Sequence, residues 1–81
     1  MTDPRVTVYT RENCSLCAEA EAEVARICGE LGQGWAAVDI DSDPELRAEY
    51  GDRVPVIMID GREHGFWRVE EPRFRAALRT S

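Results

Sequence analysis

Long apolar runs are missing from this 81-residue chain, and nothing in it approaches the roughly 18 residues that would span a bilayer. No membrane role is therefore expected. Basic charge is also scarce: 10 Lys and Arg against 16 Asp and Glu leave a net charge of −6. Binding to a phosphate backbone rests on a basic patch, so no nucleic-acid partner is expected. Lysine is absent altogether, and every basic residue is arginine. Beside the frequent alanine, this reads as a coding bias rather than a functional demand. The N-terminal stretch Met1-Thr2-Asp3-Pro4-Arg5 lacks the apolar segment of a secretory signal, so a cytoplasmic location is expected. Cysteine is too sparse and uneven for a disulfide scaffold, since there are only three and small stapled domains carry an even set of four or more.

What is present fits one domain spanning residues 1–81. Apolar residues make up 43% and charged residues 32%, a globular mix rather than a disordered one. A chain this size buries only about 60–65% of its unfolded surface, which leaves no room for a second core. No repeat, low-complexity stretch or linker interrupts it.

Residues 5–10 alternate and are β-branched or aromatic, so they predict a strand. Asn13-Cys14 opens a helix whose apolar stripe is Leu16, Ala20, Val24, Ile27, Cys28 and Leu31 at three- and four-residue steps. It ends at Gly29 or Gly32. Residues 35–40 predict a second strand. Asp43-Pro44 is a helix start, Asp as cap and Pro at the first helical position, with Gly51 as the stop. Pro55–Ile59 is nearly all apolar and reads as a strand covered on both faces. Asp60-Gly61 is a tight hairpin turn into a strand over 63–67. A last helix runs from Glu71 to Arg79. The order β-α-β-α-β-β-α predicts a mixed four-stranded sheet flanked by helices. Its two β-α-β units are expected to be right-handed parallel crossovers.

The spacing of two cysteines carries the chemistry. Cys14 and Cys17 form Cys-x-x-Cys where a strand gives way to a helix. Unpaired backbone N–H groups and the helix dipole favour an anion there, and a thiolate is the reactive form of cysteine. Its pKa falls from about 8.5 to roughly 3.5–7.5 in such settings. Cys17, three residues on, is placed to attack a mixed disulfide formed on Cys14, and it should be the less exposed of the pair. Arg11 would favour the thiolate and Glu12 would oppose it. Val54-Pro55 opens the third strand. A cis bond there would leave the Val54 backbone free to pair with an extended substrate beside Cys14.

These residues together resemble the thioredoxin superfamily, and more narrowly a small glutaredoxin-like protein of the Cys-x-Leu-Cys kind. The stretch from Val6 to Cys17, then Val54-Pro55-Val56, then Asp60-Gly61 carry the resemblance, which extends from Arg5 to Leu78. It implies a thioredoxin-like α/β fold, a cis proline at Pro55, a nucleophile at Cys14 and a resolving thiol at Cys17. Arg11 stands where glutaredoxins often carry a basic residue that helps bind glutathione, so Arg11, Val54 and Pro55 are the implied substrate-binding residues. The chain departs from the pattern at Ser15-Leu16, where Pro-Tyr is usual. It departs again at Gly65-Phe66-Trp67-Arg68-Val69, where a second glycine and then acids would hold glutathione. The departure implies weak glutathione binding, with a protein or another small thiol as donor. Glu70 and Glu71 would compensate if the last helix begins early.

The expected activity is thiol–disulfide exchange on protein or small-molecule disulfides, resupplied by a reductase or a low-molecular-weight thiol, with no bound cofactor. The alternative is a non-enzymatic module of the same fold that holds a metal or iron–sulfur cluster or docks a protein. A glutathione transferase-like domain is disfavoured by the missing acids and the short length. Zinc needs about four ligands; Cys14, Cys17, Cys28 and His64 make that number. Cys28, however, lies eleven helical residues, about 16 Å, beyond Cys17, so no metal ligands are assigned and Cys28 is expected as a small buried apolar residue. His64 reads as a histidine without catalytic duty. Trp35 reads as structural. Phe66 and Trp67 read as packing or edge residues, or else as walls of a substrate groove. Asp39, Asp41 and Asp43 read as turn residues and a cap.

Overall fold

The first strand, β1 (Val6–Thr10), shows the two-residue period directly: Val6, Val8 and Thr10 are buried, while Thr7 and Tyr9 on the other face are half-buried. It belongs to a computed structural model that describes residues 4–79, so Met1, Thr2 and Asp3 of the N-terminal stretch lie outside the described residues. Helix α1 (Ser15–Leu31) follows, and buries Cys17, Ala20, Val24, Ile27 and Cys28. The predicted stripe needs one correction. Leu16 is 47% exposed, and Cys17 takes its place on the buried face. Leu16 lies in the first helical turn, at the margin of the stripe, and borders an open surface groove instead of the core. The end of the helix is settled at Gly32, whose φ of 68° is the left-handed cap conformation that glycine adopts most readily. Gly29 stays inside the helix.

Strand β2 (Trp35–Asp39) stops one residue short of the expected end, because Ile40–Ser42 form a short 3-10 turn. The Asp39 side chain accepts the Asp41 N–H at 2.9 Å and caps that turn. Asp43 then caps α2 (Pro44–Tyr50), accepting from the N–H groups of Glu45 and Leu46. Strands β3 (Val56–Ile59) and β4 (Arg62–Phe66) are joined by Asp60 and Gly61. Both turn residues have positive φ, 52° and 80°, as a two-residue hairpin with right-handed twist requires. His64 is the extra residue of a bulge between the Ile57–Gly65 and Met58–Glu63 pairs. The strand ends at Phe66 because Trp67 adopts a φ of 73°, which no strand accommodates. Helix α3 (Glu71–Arg79) buries Phe74 and Leu78.

The four strands form one mixed sheet in the order β2-β1-β3-β4. Strand β1 runs parallel to β2 and antiparallel to β3, and β3 is antiparallel to β4. The expected second parallel crossover is therefore wrong. Val56 at the start of β3 lies opposite Tyr9 near the end of β1, where β2 also ends. The chain turns back at that end instead of crossing the sheet. Helix α2 has no fully buried residue, only Leu46 and Tyr50 half-buried, so it covers the sheet lightly. On the other side of the sheet Val6, Val8, Ile57 and Ile59 meet Val24, Ile27 and Cys28 of α1 and Phe74 and Leu78 of α3. On the α2 side, Tyr50 stacks on Tyr9 with ring centroids 4.9 Å apart.

Charge reinforces the α1–α3 contact. Arg26 reaches Glu23 and Glu71 at 2.6 Å each, and Arg75 reaches Glu30 at 2.6 Å and Glu71 at 2.8 Å. Arg5 grips Asp60 through two hydrogen bonds, at 3.0 and 2.9 Å. Hydrogen bonds from Arg75 hold the Glu30 carboxyl below its usual range, those from Arg26 and Arg75 do so for Glu71, and those from Arg5 for Asp60. A carboxylate whose pKa is depressed on folding contributes stability above its unfolded pKa, and that contribution disappears as pH falls through the folded value. The melting temperature should accordingly hold steady down to about pH 5 and fall below it. Arg75→Ala should flatten that acid limb. A melting series from pH 7 to 3 on both proteins checks this; parallel curves would refute the assignment to these pairs.

Candidate functional site at the β1–α1 turn

Strand β1 delivers the chain to residues 11–14 at the end of the sheet, and Asn13 turns it with a φ of 57°, a conformation asparagine tolerates. Cys14 is the cap of α1, extended at φ −111° and ψ 105°. Its Sγ accepts the Cys17 N–H at 3.1 Å, and its carbonyl accepts the Ala18 N–H at 3.2 Å. The sulfur thus occupies the place a serine or aspartate oxygen takes at a helix start. Cys14 and Cys17 are joined as a disulfide with Cα atoms 5.2 Å apart, inside the usual range. Cys14 is half-buried, whereas Cys17 is only 2% exposed on the inner face of the helix.

An open groove of about 360 Å³ lies over the pair, lined by Arg11, Glu12, Asn13, Cys14, Ser15, Leu16 and Val54. Three of the five residues predicted for the site, Arg11, Cys14 and Val54, meet there. Cys17 sits beneath, bonded to Cys14. Pro55 is buried, follows a cis peptide bond and accepts the Trp67 N–H at 2.8 Å. The Arg11 guanidinium is turned toward the β2–α2 segment: its Nε lies 3.3 Å from Asp41 Oδ1, and its Nη1 donates to the Gly51 carbonyl at 3.4 Å. Sequence reasoning missed Asp41 in this role. A 30-residue separation hides the pairing, and its place between Asp39 and Asp43 is explained by the turn alone.

Phe66 and Trp67 are 42% and 53% exposed, and their rings meet edge to face at 4.9 Å. Trp67 does not line the Cys14 groove. It borders a separate cleft of about 440 Å³ with Glu19, Ala20, Ala22, Glu23, Arg68 and Val69. Neither acid beyond β4 is unengaged: Glu71 is bound by Arg26 and Arg75, and Glu70 lies 3.6 Å from Arg73. Cys28 is fully buried in the core, and burial pushes its thiol pKa up. His64 packs edge to face on Phe74, and burial, then Arg73, push its pKa down. It lines none of the Cys14 groove. Among the described residues, no three His, Cys, Asp or Glu side chains converge as a metal set, and no helix is long and apolar enough to cross a membrane.

A family model described as a glutaredoxin-like domain (DUF836) matches residues 5–79. An uncharacterised protein of Mycobacterium tuberculosis is 41% identical over 86 residues, covering 100% of this chain and 89% of that protein. The crystal structure of a structural-genomics target protein from X. campestris is 36% identical with a TM-score of 0.74, covering 94% of this chain and 97% of that one. Glutaredoxin C1 from Populus tremula x tremuloides superposes with a TM-score of 0.52 at 19% identity, covering 95% and 77%. At that identity the likeness is one of fold.

Proposed function

Because the chain belongs to the glutaredoxin-like domain family, we propose that it is a cytoplasmic thiol–disulfide oxidoreductase, acting as a single domain. The carrying observation is the Cys14–Cys17 disulfide at the start of α1, with the Cys17 N–H directed at Cys14 Sγ. In the reduced protein the same N–H and the helix dipole stabilise a Cys14 thiolate. That thiolate attacks one sulfur of a substrate disulfide, the substrate S–S bond breaks, and the other sulfur leaves as a thiolate. Cys17 then loses its proton to solvent and attacks Cys14 Sγ. The second substrate thiolate departs, and the Cys14–Cys17 disulfide holds the two-electron oxidation. A donor thiol or reductase restores the dithiol. The Val54 backbone borders the groove and is the proposed partner for an extended substrate.

The donor is proposed to be a protein or a small thiol other than glutathione. No acid follows β4 in the family position, and Glu70 and Glu71 are engaged by arginines. Truncating one side of a buried charge pair typically costs about 2–5 kcal/mol, so the glutathione ammonium should be poorly held. The test is steady-state disulfide reduction by the recombinant chain, supplied separately with millimolar glutathione and with a thioredoxin-type reductase. Turnover with the reductase and only slow, non-saturating turnover with glutathione are expected. Rapid saturable turnover on glutathione would overturn the donor assignment. No turnover with either, together with stoichiometric iron or zinc, would overturn the enzymatic reading.

A further inference from the structure

We propose that Asp41 sets the charge preference of the Cys14 groove by holding Arg11, so that the protein favours disulfides that are neutral or cationic beside the sulfur over anionic ones. The inference rests on the redox reading of Cys14 and Cys17. Among the described residues, Arg11 is the one cation lining the groove, and Glu12 lines it too. Behind Arg11, the Asp41 carboxylate and the Gly51 carbonyl both face the guanidinium, at 3.3 and 3.4 Å. A substrate carboxylate must displace or share these acceptors before it can pair with Arg11. The arrangement is built into the fold rather than left to a free side chain. Asp39 caps the turn that presents Asp41, and Gly51 ends α2 with its N–H on the Arg47 carbonyl. Arg47 is the other partner of Asp41, with Nε 3.5 Å from the same oxygen. It lines no part of the groove, so it draws on Asp41 without offering a substrate contact.

Asp41 is thus a positioning residue acting through Arg11. Exposed ion pairs contribute about 0.2–1 kcal/mol, which converts to roughly 1.4- to 5-fold in a rate ratio. The experiment is single-turnover oxidation of the pre-reduced protein at low salt by three disulfides. Oxidised glutathione is anionic, hydroxyethyl disulfide is neutral and cystamine is cationic. The readout is the ratio of second-order rate constants, anionic to neutral and cationic to neutral. Asp41→Asn should raise the first ratio about two- to five-fold and lower the second, and 0.5 M salt should erase both changes. Arg47→Gln, which leaves Asp41 to Arg11 alone, should move both ratios the opposite way. In the Arg11→Gln background, Asp41→Asn should no longer raise the first ratio. Ratios indifferent to both Asp41→Asn and Arg47→Gln would overturn the proposal. A reduced wild-type protein that fails to react even with hydroxyethyl disulfide would instead overturn the redox reading beneath it.

Discussion

Cys14→Ser is expected to bring disulfide reduction down to the buffer rate, whereas Cys17→Ser should accumulate a covalent mixed disulfide with its substrate. The asymmetry follows from burial and position. Cys14 is the half-exposed member, at the helix start and in the groove; Cys17 is 2% exposed, one turn on. First attack needs an accessible, stabilised thiolate, and only Cys14 meets that condition. Resolution needs a second thiol within bonding reach of Cys14 Sγ, and Cys17 is already bonded to it. The Cys17→Ser protein therefore keeps the first step and loses the second. Intact mass of each variant after exposure to a disulfide substrate is the check. An adduct on the Cys14→Ser protein and none on the Cys17→Ser protein would reverse the assigned roles. Cys28, buried in the core, should carry no adduct in either.

The largest loss of stability is expected from Phe74→Ala. Phe74 is the bulkiest fully buried side chain and joins α3 to Val6, Val8, Ile57 and Ile59 of the sheet. Removing a buried phenylalanine costs about 3–5 kcal/mol through lost burial and the cavity left behind. Domains of this size hold only about 4–12 kcal/mol in total, so the change consumes a large share of it. At about 4–8 °C per kcal/mol, the melting temperature should drop by at least about 12 °C. Phe66→Ala, at a half-exposed position, should cost far less. Equal losses in thermal melts of the two variants would place the core wrongly.

Much of this architecture is legible in the sequence because it is encoded locally. The alternation of Val6–Thr10, the Asp43-Pro44 start and the Asp60-Gly61 turn each fix their own backbone, and each forms as the residues predict. The Cys-x-x-Cys pair, in four positions, places its two sulfurs within bonding distance at the start of α1. What escapes the sequence is set by contacts distant along the chain. The direction of β3 depends on where the segment after β2 leads, and no residue within β3 encodes that. The Arg11–Asp41 contact and the Arg26–Glu71 and Arg75–Glu30 pairs join residues 30 to 45 positions apart. Each is one of many pairings open to an arginine-rich, acidic chain. Trp67 escapes for a different reason. A bulky residue rarely takes a positive φ, so propensity argues against the conformation it adopts.

The absence of buried side chains in α2 bears on motion. Local opening begins where few apolar contacts must break, and α2 has no fully buried side chain, only Leu46 and Tyr50 half-buried, with Tyr50 stacked on Tyr9. The Asp43 cap, the Tyr50 stack and the Arg47–Asp41 pair restrain a segment that contributes no residue to the buried cluster of β1, β3, α1 and α3. Gly51, at the end of that segment, and Asp41, just ahead of it, are the groups that hold Arg11. The electrostatic setting of Cys14 is thus tethered to a segment expected to exchange its amide protons early, while Cys17 rides on a helix whose inner face is buried in the core and is expected to exchange late.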